Sequence, residues 1–118
     1  MNNQGNIVDL SYIQGMAGGS MDLVKEMIVI FIGQIPDFLD EMKSCFHKKD
    51  WYNLGLIAHK AKSSVAVMGM EGLATDLKDL EILTKEGKEI EEYERLIESF
   101  ENQTKKAIQE LNEILKSE

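Results

Sequence analysis

Apolar residues recur along this chain at spacings of three and four, and no stretch alternates apolar with polar residues for long enough to build a strand. That period belongs to helices that bury one face. A single proline among 118 residues leaves long stretches free of helix breakers, and seven methionines supply unbranched filler for helix interfaces. The fold class is therefore all-α. A short first helix, over about Asp9 to Met16, stops at Gly18-Gly19, and Ser20 offers its hydroxyl as the N-cap of the next. The second helix keeps a broad apolar face from Leu23 through Phe31, Ile35 and Met42 to about Lys48. Pro36 removes one backbone donor within it, and a kink is expected there, because the same period continues on both sides.

Lys48 and Lys49 suit a helix C-terminus, and Asp50 then caps a third helix that begins at Trp51 and ends near Gly69. A fourth is expected from Glu71 to Lys85, broken by Gly87, and a fifth from Glu89 to about Lys116 with Tyr93, Leu96, Phe100, Ala107 and Leu111 on one side. Connections this short make neighbouring helices antiparallel. The expected architecture is an up-down-up-down four-helix bundle with a short extra N-terminal helix, one domain over residues 1–118. A core of this size needs no disulfide or metal, and the lone Cys45 reads as a small buried hydrophobe in a reducing compartment.

Twenty-one acids against 13 bases leave a net charge of −8, which repels phosphate backbones and anionic lipid surfaces. Nucleic acid and membrane are thus poor partners. No run is apolar for the ~20 residues of a membrane span, and the polar start Met1-Asn2-Asn3-Gln4-Gly5-Asn6 lacks the regions of a signal peptide. A cytoplasmic monomer is expected.

At 100° per residue, Leu54, Ile57, Ala58, Ala61, Val65 and Met68 fall within about 100° of one another and form the core stripe of the third helix. His59 lies roughly 150° from the middle of that stripe, so it faces solvent or a partner. Its own face is cleared of bulk: Gly55 stands one turn before it, Ser63 one turn after, and Ala66 two turns along. A glycine inside a helix costs about 1 kcal/mol relative to alanine, which points to close approach of another surface at Gly55. Leu56, Val67 and Met70 are expected to project outward around this area, and with Gly55, Lys60, Ala66 and Gly69 they make up the expected docking patch. Lys62, one turn along, can reach a group attached to the imidazole, while Lys60 points to the flank and serves partner attraction.

The stretch Ala58-His59-Lys60-Ala61-Lys62-Ser63-Ser64-Val65-Ala66-Val67-Met68-Gly69-Met70 closely resembles the phosphoacceptor motif of histidine-containing phosphotransfer (HPt) domains. That motif reads AH, a free residue, a small or apolar residue, K, G or S, S or A, and a glycine ten places after the histidine. The likeness extends to Asp9-Leu10-Ser11-Tyr12 with Ala17-Gly18-Gly19, to the segment from Phe31 to Pro36, and to Lys49-Asp50-Trp51, so it covers essentially the whole chain. The resemblance implies that His59 accepts a phosphoryl group, that Lys62 steadies it, and that Gly69 shapes the turn after the helix. Ser63 stands where many members have glycine, and its hydroxyl can donate to a phosphate oxygen. Lys85 is the expected counterpart of a basic or amide residue that some members carry late in the following helix. The implied partners are response regulator receiver domains and hybrid sensor histidine kinases, with magnesium bound by the receiver and no cofactor on this chain.

Such chemistry asks little of the carrier. A free imidazole has a pKa of ~6.5 and is mostly neutral, hence nucleophilic, near pH 7. No glycine-rich phosphate loop of the GxxxxGK[ST] or GxGxxG kind occurs, so a phosphocarrier is expected and not a kinase. A carboxylate-bridged metal bundle needs Glu-x-x-His pairs, but Ser44 precedes His47 by three and Leu56 precedes His59 by three. Cys45 and His47 fall on different helix faces, which disfavours zinc. The alternative function is a non-catalytic helical interaction module, separated from the favoured reading only by the His59 and Lys62 pair.

Overall fold

The computed structural model describes residues 7–116, and the polar start read above as lacking a signal peptide lies outside them. Five helices follow in order: α1 (Ser11–Met16), α2 (Met21–His47), α3 (Trp51–Val67), α4 (Glu71–Glu86) and α5 (Ile90–Lys116). Among the described residues there is no strand.

The punctuation acts as the residues dictate. The Ser20 hydroxyl accepts the Leu23 N–H at 3.3 Å, and an Asp50 carboxylate oxygen accepts the Asn53 N–H at 3.3 Å, so α2 and α3 each begin with one orphan donor satisfied. Gly87 closes α4 in the left-handed conformation at φ 68°. Helix α2 runs through Pro36 as one element, because losing a single donor does not outweigh the face that Phe31, Ile35 and Met42 bury on both sides of it.

Helix α3 packs between α2 and α4, and α5 closes the ring by packing on both α2 and α4. The core holds Ile28, Phe31 and Met42 of α2, Leu73, Leu77 and Leu80 of α4, and Tyr93, Phe100 and Leu111 of α5, with the predicted stripe of α3 buried among them. Each large side chain withdrawn from water contributes about 1.5–3 kcal/mol. Trp51 packs edge-on against Tyr93, ring centroids 5.1 Å apart, and ties the start of α3 to α5. Among the described residues no helix is long and apolar enough to cross a membrane.

The turn after α3 carries an unusual constraint. Gly69 adopts φ 77°, and the backbone of Asp9 lies so close that a Cβ at this position would overlap it. The Asp9 N–H donates to the Met68 carbonyl at 2.9 Å, while the Ile7 and Val8 N–H groups donate to the Glu110 carboxylate of α5 at 2.6 and 3.2 Å. Glycine is therefore needed twice over, for its conformation and for the strand of backbone laid across it. Replacing Gly69 by alanine is expected to destabilise the fold by about 2–4 kcal/mol, from left-handed strain plus displacement of the segment before α1. Urea unfolding checks this, and an unchanged midpoint would contradict it.

Candidate phosphoacceptor site

His59 stands midway along α3 with 59% of its side chain exposed. Its ring is turned toward α4, where Nδ1 lies 3.0 Å from Glu81 Oε2. The second carboxylate oxygen of Glu81 accepts a hydrogen bond from Lys62 Nζ at 3.3 Å. One carboxylate thus holds both the imidazole and the cation that the sequence placed one turn apart. Glu81 was absent from the residues expected at the site.

The electrostatics of Glu81 fix the histidine tautomer. Burial pushes its carboxyl upward, but the hydrogen bond and charge of Lys62, with a smaller contribution from His59, outweigh this and hold it below the ordinary glutamate value. It is ionised near neutral pH. An ionised carboxylate only accepts, so Nδ1 of a neutral His59 carries the proton and Nε2 keeps the free lone pair. A carboxyl with a lowered folded pKa contributes stability above its unfolded pKa and loses it as pH falls through the folded value. Between about pH 5 and pH 3, wild-type protein is therefore expected to lose more stability toward urea than Glu81→Gln does. Parallel pH profiles would contradict that link.

The approach of α4 depends on Gly55. This residue is buried, and a Cβ built on it would lie 2.5 Å from Thr84 Oγ1. The Thr84 hydroxyl in turn donates to the carbonyls of Leu80 and Glu81 at 2.9 and 3.0 Å. The close surface expected at Gly55 is thus another helix of the same chain. Gly55 is not a docking residue, because Thr84 fills the space beside it.

Met70 is likewise misplaced by the sequence reading. It is 3% exposed and belongs to the core, not to an outward patch. Helix α3 ends at Val67 and the chain reverses through Gly69, so the 100° rule no longer applies at residue 70. Leu56 does project, at 45% exposure, and Val67, Ala66 and Gly69 are half-buried. Ser63 is exposed one turn beyond His59, and its neighbour Ser64 donates to Gln34 of α2 at 3.1 Å. Lys60 and Lys85 are exposed and make no ion pair among the described residues.

Beyond Ser63, two shallow grooves flank the end of α3. One is apolar, lined by Met27, Ile30, Phe31 and Val67, whereas the other is mixed and sets Tyr12, Ala66 and Val67 beside Asp9, Ser63 and Glu71. Tyr12 and Ile30 expose 58% and 60% of their surfaces. Large apolar groups are thus left open to solvent on the same side of the bundle as His59.

A scan against family models matches residues 26–116 to the Hpt domain. The chain belongs to the Hpt domain family. The match takes in α3, α4 and α5 entire and most of α2, and so includes every residue of the His59 site. Hpt domains are phosphotransfer modules of two-component phosphorelays, phosphocarriers that meet response regulator receiver domains and kinases. Searches of curated proteins and of solved structures returned no match.

The signal for Glu81 was present but not legible from one helix alone. It sits on α4 next to the buried Leu80 and one turn from the buried Leu77 and Thr84, a charged residue at the edge of an apolar stripe. Lys85, the expected late-helix counterpart, lies one turn beyond Glu81, the position that reaches His59.

Proposed function

We propose that this Hpt domain carries its phosphoryl group on Nε2 of His59 and exchanges it with an aspartate of a receiver domain. The observation that supports the reading is the outward imidazole whose Nδ1 is engaged by Glu81 at 3.0 Å, which leaves Nε2 as the nucleophilic atom. In the uptake direction the Nε2 lone pair attacks phosphorus, a P–N bond forms, the P–O bond to the aspartyl group breaks, and the carboxylate leaves. The proton on Nδ1 stays in its hydrogen bond to Glu81, whose charge stabilises the ring as it becomes positive. Lys62 and the Ser63 hydroxyl are the groups within one turn that can meet the phosphoryl oxygens. Transfer outward reverses each step.

The receiver's magnesium and acidic pocket complete the site, so this chain needs no cofactor and no kinase activity of its own. Lys60, Lys62 and Lys85 give an otherwise acidic protein a local positive field toward that pocket. The apolar groove beside Ile30 and the exposed ring of Tyr12 meet the receiver's apolar contacts. Short connections make the four long helices alternate in direction, and the domain acts as a cytoplasmic monomer.

Incubation with a phosphorylated receiver tests the reading. The expected label survives alkali, is lost in acid, and leaves the chain when unphosphorylated receiver is added. A label stable to acid would sit on a hydroxyl and overturn the proposal.

A further inference from the structure

On the opposite side of His59 from the grooves above lies a third, between the first half of α3 and the second half of α4, with a volume of about 280 Å³. Gly55 and Thr84 are buried beneath it, Tyr52 and Leu56 rise on the α3 side, and Glu81 and Lys85 line the α4 side. Tyr52 is 76% exposed, on a helix whose neighbouring turns bury Leu54, Ile57 and Ala58. Neither Tyr52 nor Leu56 has a part in the phosphoryl chemistry.

The two charges of the groove differ in their commitments. Glu81 is engaged by His59 and Lys62, whereas Lys85 makes no ion pair among the described residues. A free cation beside apolar walls, in a chain of net charge −8, favours an occupant that is apolar with an acid next to it. The groove is also continuous with the phosphoacceptor. Leu56 is one turn before His59, and Glu81 belongs to both sites. A protein partner of ordinary interface size covers about 800 Å² on each side, far more than an imidazole and its immediate neighbours.

We propose that this α3/α4 groove is a second anchor for the receiver domain, taking one apolar receiver side chain while a neighbouring carboxylate pairs with Lys85. The proposal rests on the phosphotransfer reading above. It gives the domain docking surfaces on both flanks of His59, and it places the partner against Glu81, the residue that holds the reacting ring. Seating a receiver here therefore bears on the orientation of His59 as well as on affinity.

The test uses the receiver domain of the source organism that exchanges phosphoryl groups fastest with the wild-type chain. Transfer rates for Tyr52→Ala, Lys85→Glu and Lys85→Arg are each divided by the rate of labelling with phosphoramidate, a donor too small to need a groove. The expected ratio falls about tenfold for Tyr52→Ala and Lys85→Glu through a higher KM for the receiver, and Lys85→Arg stays near wild type. Unchanged ratios in both would overturn the groove. So would sedimentation showing a wild-type dimer that Tyr52→Ala dissociates, since the occupant would then be a second copy of the chain. If the wild type takes up no phosphoryl group from any receiver, the phosphotransfer reading falls and takes the anchor with it; uptake with unchanged ratios removes the anchor alone.

Discussion

A His59→Gln chain is expected to accept no phosphoryl group from a phosphorylated receiver while unfolding in urea close to the wild-type midpoint. Glutamine preserves a polar side chain that can still donate to Glu81, but its amide nitrogen has no available lone pair and cannot attack phosphorus. The fold should hardly notice, because His59 is mostly exposed and surface substitutions usually change stability by no more than about 0.5 kcal/mol. His47 remains in this variant as an internal control. It is exposed in the last turn of α2, without the carboxylate that orients His59, so it should not take over the reaction. Labelling of the variant at the wild-type rate would remove His59 from the account.

Lys62→Ala is expected to slow phosphoryl uptake about a hundredfold, the order found when one group that stabilises developing charge is removed. Two effects act together. The cation available to the phosphoryl oxygens is lost, and Glu81 is left with its charge no longer offset by the ammonium now 3.3 Å away. That carboxylate then repels the incoming group. Adding Glu81→Gln in the Lys62→Ala background should therefore recover part of the rate, even though Glu81→Gln alone slows uptake by weakening the hold on Nδ1. Residues sharing one network couple by about 0.5–3 kcal/mol in such cycles. Rapid-quench kinetics on the four chains measures the coupling. A double variant as slow as the product of the two single effects would mean that Glu81 and Lys62 act independently.

Most of the scaffold could be read along single helices. Ser20, Asp50 and Gly87 announced their ends through local chemistry, and the stripe from Leu54 to Met68 followed from one angle repeated. His59 was placed outward by the same angle. What escaped were the relations between helices. Gly55 signals a close surface, but that this surface is Thr84, 29 positions later in the chain, cannot be read from α3 alone. Glu81 carries no such sign, because nothing on α4 alone says that its carboxylate meets a ring on α3. Met70 failed for a different reason: a helical projection has no meaning past Gly69, where the backbone turns left-handed and sends the next side chain inward. Gly69 itself was read as a turn residue, whereas the backbone of Asp9 lying across it appears only when the N-terminal segment is folded back.

The most direct measurement is the identity of the phosphorylated nitrogen. Chain labelled with ¹⁵N-histidine and phosphorylated by a receiver should show, by NMR, phosphorus coupled to Nε2 of His59, with Nδ1 still protonated against Glu81. Phosphorus on Nδ1, or on His47, would contradict the account.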